Sequence, residues 1–295
     1  MKKMVINEAF ISELEALQTL LRNNVAGAFG GNRRTRNFGS SCEFADYRDY
    51  MPGDDVSRID WNAYARFDRL YEKLYYDERQ MHTRIYIDAS RSMAHGADEE
   101  KAEQSLRIAA AFAYLSVCEM DKVSIYVIRG GELQEVISGM VGKDSYLDCV
   151  NRLNDVVFDS DVKISDAILP SSPGLGDGLS IIISDFLTEE NYEQAIDHLA
   201  GRKRDVLCIQ VLSRDELNPQ VRGKMHLFDA EDSTKYFRKK IDADVIRAYK
   251  DALKYVTDRI RLYCESRDAR YMLVPSYATT ADIFFGKLVD MEVTK

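Results

Sequence analysis

Five strand-length apolar runs, at residues 83–87, 122–128, 179–184, 206–212 and 270–274, alternate with stretches of helical periodicity at 99–119, 145–153, 189–200 and 242–266. Most of these runs are apolar at nearly every position, without the inside–outside alternation of a half-solvated sheet. Such strands are buried on both faces, and helices above and below a mostly parallel sheet are the usual way to bury them. Residues 133–137 read as one more strand and 281–289 as a last helix. The 99–119 helix presents a small-residue face at Ala109, Ala110, Ala111 and Ala113. An α/β domain follows.

Other segments fall outside that alternation. Residues 7–22 space Phe10, Leu14, Leu17, Leu20 and Leu21 as an amphipathic helix. The Gly- and Arg-rich stretch 27–36 lacks the GxxxxGK[ST] spacing of a phosphate cradle and reads as a solvated loop, with Arg33, Arg34 and Arg36 available to an acidic surface. Between 38 and 80, aromatics alternate with charges around a Pro52-Gly53-Asp54-Asp55 turn, and 70–76 reads as a strand. Residues 224–229 and 234–238 form a hairpin with no place in a doubly wound sheet. We therefore expect residues 1–80 and the 215–240 hairpin to make a small β-containing satellite. The α/β domain would take 81–214 and 241–295.

Acidic residues outnumber basic ones, 49 to 40, for a net charge of -9, which argues against a nucleic-acid backbone as partner. The longest apolar runs, 108–117 and 179–183, are too short to span a bilayer, and the N-terminus lacks a signal-like apolar segment. The 5 cysteines and 4 histidines are scattered, which argues against a disulfide framework and a zinc site. These features point to the cytoplasm.

The sharpest local feature is Asp88-Ala89-Ser90-Arg91-Ser92, directly after an apolar strand and before a helix. In a parallel sheet this places Asp88 at a carboxyl strand end, where α/β folds bind ligands. One carboxylate and two hydroxyls at alternate positions are hard oxygen donors suited to Mg²⁺. Asp185, ending Ile181-Ile182-Ile183-Ser184-Asp185, should come from the neighbouring strand to the same rim. Asp and Ser are also common as turn formers and helix caps, so the pattern has a purely structural reading as well.

Asp88-x-Ser90-x-Ser92 with Asp185 resembles the metal-ion-dependent adhesion site of von Willebrand factor A domains. Residues 43–66, from Glu43-Phe44 through Pro52-Gly53-Asp54-Asp55 to Arg58-Ile59-Asp60-Trp61 and Ala65-Arg66, resemble the signature of the bacterial domain of unknown function 58 family, as does Leu227-Phe228-Asp229-Ala230-Glu231. The resemblance implies a von Willebrand factor A-like (Rossmann-like) sheet. It also implies a protein-binding adaptor, without catalysis, that serves a MoxR-type AAA+ ATPase in protein maturation, complex assembly or stress response. The metal set it implies is Asp88, Ser90, Ser92 and Asp185. One position departs from the pattern: Val162 stands where such sites carry a threonine, with Lys163 beside it and Ser160 and Ser165 as the nearest hydroxyls.

Two other functions remain compatible with these residues. Asp88 and Asp185 would hold Mg²⁺ for hydrolysis or phosphoryl transfer, with His95 as acid or base. Alternatively, the chain is a scaffold with a degenerate metal site. Arg48, Asp54, Asp55, Arg58, Asp60, Trp61 and Arg66 are candidates either for partner docking or for fastening the satellite to the α/β domain.

Overall fold

A computed structural model describes residues 5–24, 35–38, 44–77, 80–94, 100–171, 178–187, 192–221, 223–228 and 236–288. The strands are β1 Thr35–Phe38, β2 Phe44–Asp49, β3 Tyr71–Asp77, β4 His82–Asp88, β5 Lys122–Arg129, β6 Glu132–Met140, β7 Leu179–Ser184, β8 Asp205–Leu212, β9 Gly223–Phe228, β10 Tyr236–Ile241 and β11 Arg270–Pro275. The α-helices are α1 Glu8–Asn24, α2 Trp61–Phe67, α3 Glu100–Cys118, α4 Tyr146–Asn154, α5 Ile164–Ile168, α6 Glu193–Gly201, α7 Arg214–Leu217 and α8 Ala243–Glu265. A π-helical segment spans Asp282–Leu288.

The main sheet has six strands in the order β11-β8-β7-β4-β5-β6. All its pairs are parallel except β5 with β6. The fold is α/β, a mostly parallel sheet flanked by helices, as the apolar runs require. The central strands β4, β7 and β8 are buried along nearly their whole length. On one face Tyr86, Ile182 and Cys208 join Ile164, Ile168, Ile196, Leu199, Ile260 and Cys264 from α5, α6 and α8 in a single apolar cluster. Helix α3 packs against β4, β5 and β8, and its alanines are buried. The β6 edge is mostly solvated, with Glu132 and Glu135 exposed, and its pairing with β5 is broken by register shifts around Ile125.

The chain divides into two compact units, Leu20–Gln80 on one side and Met1–Thr19 with Met81–Lys295 on the other. In this division α1 up to Thr19 and the β9–β10 hairpin fall with the main sheet, while the last residues of α1, Leu20–Asn24, fall with the smaller unit. For the helix the reason is visible. Asn154, at the end of α4, accepts the Val5 and Ile6 amides and donates to the Ile6 carbonyl, each at 3.0 Å. Ile6, Phe10, Leu14 and Leu17 are buried. The unit Leu20–Gln80 contains a three-stranded sheet in the order β1-β3-β2.

Near the amino ends of the parallel strands, burial and the charges of Arg84, Arg204 and Lys122 push the His82 imidazole down to about 4, and its Nε2 lies 2.9 Å from Ser124 Oγ. The ring is then neutral when folded but gains a proton when unfolded below about pH 6.5, so its contribution falls as pH drops from about 6.5 to 4. Urea melts of wild type and His82→Gln should differ by about 1–2 kcal/mol more at pH 7 than at pH 4, allowing for partial solvent screening. Equal differences at both pH values would refute this.

Candidate functional site

Asp88 closes β4 and Asp185 directly follows β7, and these strands are hydrogen-bonded neighbours. The two carboxylates therefore meet at one rim of the sheet, with exposures of 3% and 2%. Asp88 Oδ1 accepts the Ser90 amide at 2.8 Å, and Oδ2 accepts the Ser184 hydroxyl at 2.5 Å. Ser90 Oγ lies 2.9 Å from Ser92 Oγ. Burial, and then the neighbouring charge of Asp185, raise the Asp88 carboxyl to about 6. The four residues expected to share the rim, Asp88, Ser90, Ser92 and Asp185, do converge there.

Asp185 has two partners of its own. Its Oδ1 accepts the Leu187 amide at 3.1 Å, and its Oδ2 accepts Lys101 Nζ at 2.9 Å. Lys101, in the first turn of α3, is 1% exposed, and the same ammonium donates to Glu216 Oε1 at 2.6 Å. Burial works against its charge, yet the Asp185 and Glu216 carboxylates hold its pKa above the ordinary lysine value. Glu216 is fixed in turn by a capping box, its Oε2 accepting the Ser213 amide at 2.7 Å while its own amide donates to Ser213 Oγ.

Lys101 and Glu216 were not among the sequence candidates. Two signals pointed toward them: a lysine at a helix N-terminus opposes the macrodipole, and Ser213-x-x-Glu216 has capping-box spacing.

The threonine-equivalent loop runs alongside. Ser90 and Ser160 form a parallel bridge, as do Gly130 and Val162. Val162 packs on the apolar cluster. Ser160 Oγ accepts the Gly130 amide and donates to the Asp161 carbonyl, and Ser165 Oγ accepts the Ala195 amide. Neither hydroxyl replaces the missing threonine in this arrangement. A Mg²⁺ ion requires near-octahedral oxygens at about 2.1 Å. To bind at this rim it would have to compete with the Ser90 amide, the Ser184 hydroxyl and above all the buried Lys101 ammonium for the carboxylate oxygens. As arranged, the donor set does not fit the ion. Among the described residues, no cluster of three His, Cys, Asp or Glu side chains is placed to hold a metal. His95 lies outside the described residues.

The signature residues build the unit Leu20–Gln80 itself. Arg48 Nη2 pairs with Glu72 at 2.6 Å and with Asp54 at 2.9 Å. Arg58 reaches Glu72 and Asp55, and Asp55 caps the 3₁₀ turn Val56–Arg58 by accepting the Ser57 amide. Asp60 caps α2 through the Asn62 and Ala63 amides, accepts the Tyr47 hydroxyl at 2.7 Å and pairs with Lys73 at 3.3 Å. These contacts, the Tyr47 hydroxyl foremost, hold its carboxyl down to about 2. Arg66 helps line a cavity of about 580 Å³, with Tyr47, Asp60, Asn62, Ala63, Phe67 and Tyr71 as its other walls. Trp61, a candidate for partner docking or for fastening the unit, is 62% exposed and meets Tyr64 edge-on at 6.3 Å between ring centroids.

With this geometry established, comparison with known proteins places the chain. Residues 46–257, well over half its length, match the model described as "Protein of unknown function DUF58". The chain belongs to the DUF58 family. An uncharacterized protein of Mycobacterium tuberculosis strain H37Rv is 29% identical over 226 residues, covering 74% of this chain and 70% of the relative. Among solved structures, the DUF58 chain is similar to an aerotolerance-related membrane protein from Bacteroides fragilis, with 13% identity and a TM-score of 0.41, over 73% of this chain and 100% of that one. It is also similar to a von Willebrand factor type A protein from Catenulispora acidiphila, with 11% identity and a TM-score of 0.35, over 74% and 43% of the respective chains. No helix among the described residues is long and apolar enough to cross a membrane.

Proposed function

We propose that this DUF58 chain is a non-catalytic protein-binding adaptor that docks through the rim after β4 and β7. Its partner in this reading is a MoxR-type AAA+ ATPase, acting in protein maturation, complex assembly or stress response in the cytoplasm. The observation that carries the reading is the chemistry of the rim. It consists of hydroxyls and carboxylates bonded to one another and to a lysine, an arrangement suited to holding a surface in one shape. The described cysteines sit elsewhere, in α3, α4, β8 and α8. His82 begins β4 at its other end, and His198 faces the Ser171 carbonyl. Neither is placed for general acid–base work at the rim.

Arg91 and Ser92 present the partly exposed part of this loop. Binding of a purified MoxR-type ATPase to immobilised chain should weaken about tenfold in Arg91→Glu, roughly 1.4 kcal/mol, with the thermal midpoint as a control for folding. Unchanged affinity in both Arg91→Glu and Ser92→Ala would remove the rim as the docking face. Turnover of phosphate esters by wild type, lost in His95→Ala, would replace the adaptor with the enzyme.

A further inference from the structure

We propose that Lys101 is the resident cation of this rim, occupying with its ammonium the electrostatic role that a divalent ion would otherwise take and closing the site to metal. The inference deepens the docking reading and rests on it for its biological meaning, since it makes docking independent of Mg²⁺.

Three observations support it independently of any partner. The ammonium is almost wholly buried and bridges Asp185 and Glu216 at 2.9 and 2.6 Å, so it is fixed from two elements distant in sequence. Glu216 is not free to swing away, because both its carboxylate and its amide are engaged in the Ser213 capping box. The remaining carboxylate, Asp88, is satisfied by a main-chain amide and by Ser184, and the threonine position is an apolar residue on the core. A divalent ion entering here would meet a positive charge already bonded to one of its two carboxylate ligands. Coulomb repulsion and the cost of stranding a buried ammonium both oppose its entry. A partner therefore need not supply a carboxylate to complete a coordination shell. The contacts left to it are hydrogen bonds to the Ser90–Ser92 loop.

The test is metal binding by the full chain, measured without any partner. Chelator-stripped wild type titrated with millimolar Mn²⁺ or Mg²⁺ should give no calorimetric binding and no shift of the thermal midpoint. Lys101→Met should melt lower and recover by about 5 °C or more on adding Mn²⁺, because an ion that binds only the folded state raises its midpoint. Stoichiometric Mn²⁺ binding by wild type that is lost in Asp88→Ala would overturn the proposal. So would a folded Lys101→Met that remains blind to Mn²⁺, since something other than the ammonium would then exclude the ion. If Lys101→Met does not fold with or without metal, Glu216→Gln, which loosens the ammonium, takes its place under the same two outcomes. Failure of the ATPase to bind would sink the docking reading and leave this result standing.

Discussion

Asp185→Asn should cost about 3 kcal/mol of stability, whereas Asp88→Asn should be neutral or stabilising by about 1–2 kcal/mol near neutral pH. The two carboxylates share a rim, yet their surroundings oppose each other. Removing Asp185 leaves Lys101 buried with Glu216 as its remaining carboxylate, and an undercompensated charge in a dry site is among the most costly single defects. Removing the Asp88 charge relieves a carboxylate that burial and Asp185 hold at about 6. An asparagine there can still accept the Ser90 amide with its oxygen. Differential scanning calorimetry of the two variants at one pH decides the matter. The Asp185 variant should melt roughly 5 °C lower, at about 1.5–2 °C per kcal/mol for a chain of this size. Equal losses in both variants would mean that the carboxylates act as a symmetric pair, contrary to the asymmetry set by Lys101.

Gly178→Ala should be about as damaging, near 3 kcal/mol. A methyl at this position would stand 2.5 Å from the His82 carbonyl oxygen and 2.6 Å from Arg204 Nη1. The carbonyl belongs to β4, paired on both sides, and the guanidinium is itself held by Ser180 Oγ, the Leu179 carbonyl and the His82 carbonyl. Neither neighbour can retreat without breaking buried hydrogen bonds, and overpacking of this kind commonly costs 1–3 kcal/mol before such losses are added, hence about 3. Chemical denaturation would show the midpoint falling with an unchanged slope. A loss under about 1 kcal/mol would show that β4 and Arg204 yield more than this geometry implies.

Much of this was legible in the order of residues. The central strands announce themselves because burial on both faces forces apolar runs, and Asp88 and Asp185 are found at the same rim because each terminates such a run. The hidden part is long-range. Lys101 lies 84 residues from Asp185 and 115 from Glu216, and no local pattern specifies such a pairing. In the sequence Lys101 reads as one more charge at a helix start. The packing of the first helix is hidden for a related reason: its apolar stripe demands a partner without naming one, and Asn154, through Val5 and Ile6, ties its start to α4. The role of Asp60 is equally hidden: it caps α2 and gathers Tyr47 and Lys73 around that turn, contacts that no local pattern specifies. The signature charges read as a docking face or a fastener, but their partners are largely one another, which is visible only once β2 and β3 are paired.

The antiparallel outer strand β6 has a further consequence. Its exposed glutamates and interrupted ladder present a poor template to any passing unpaired backbone. Crowded copies of the protein are thereby discouraged from zipping together along that margin, which favours solubility during folding and afterwards.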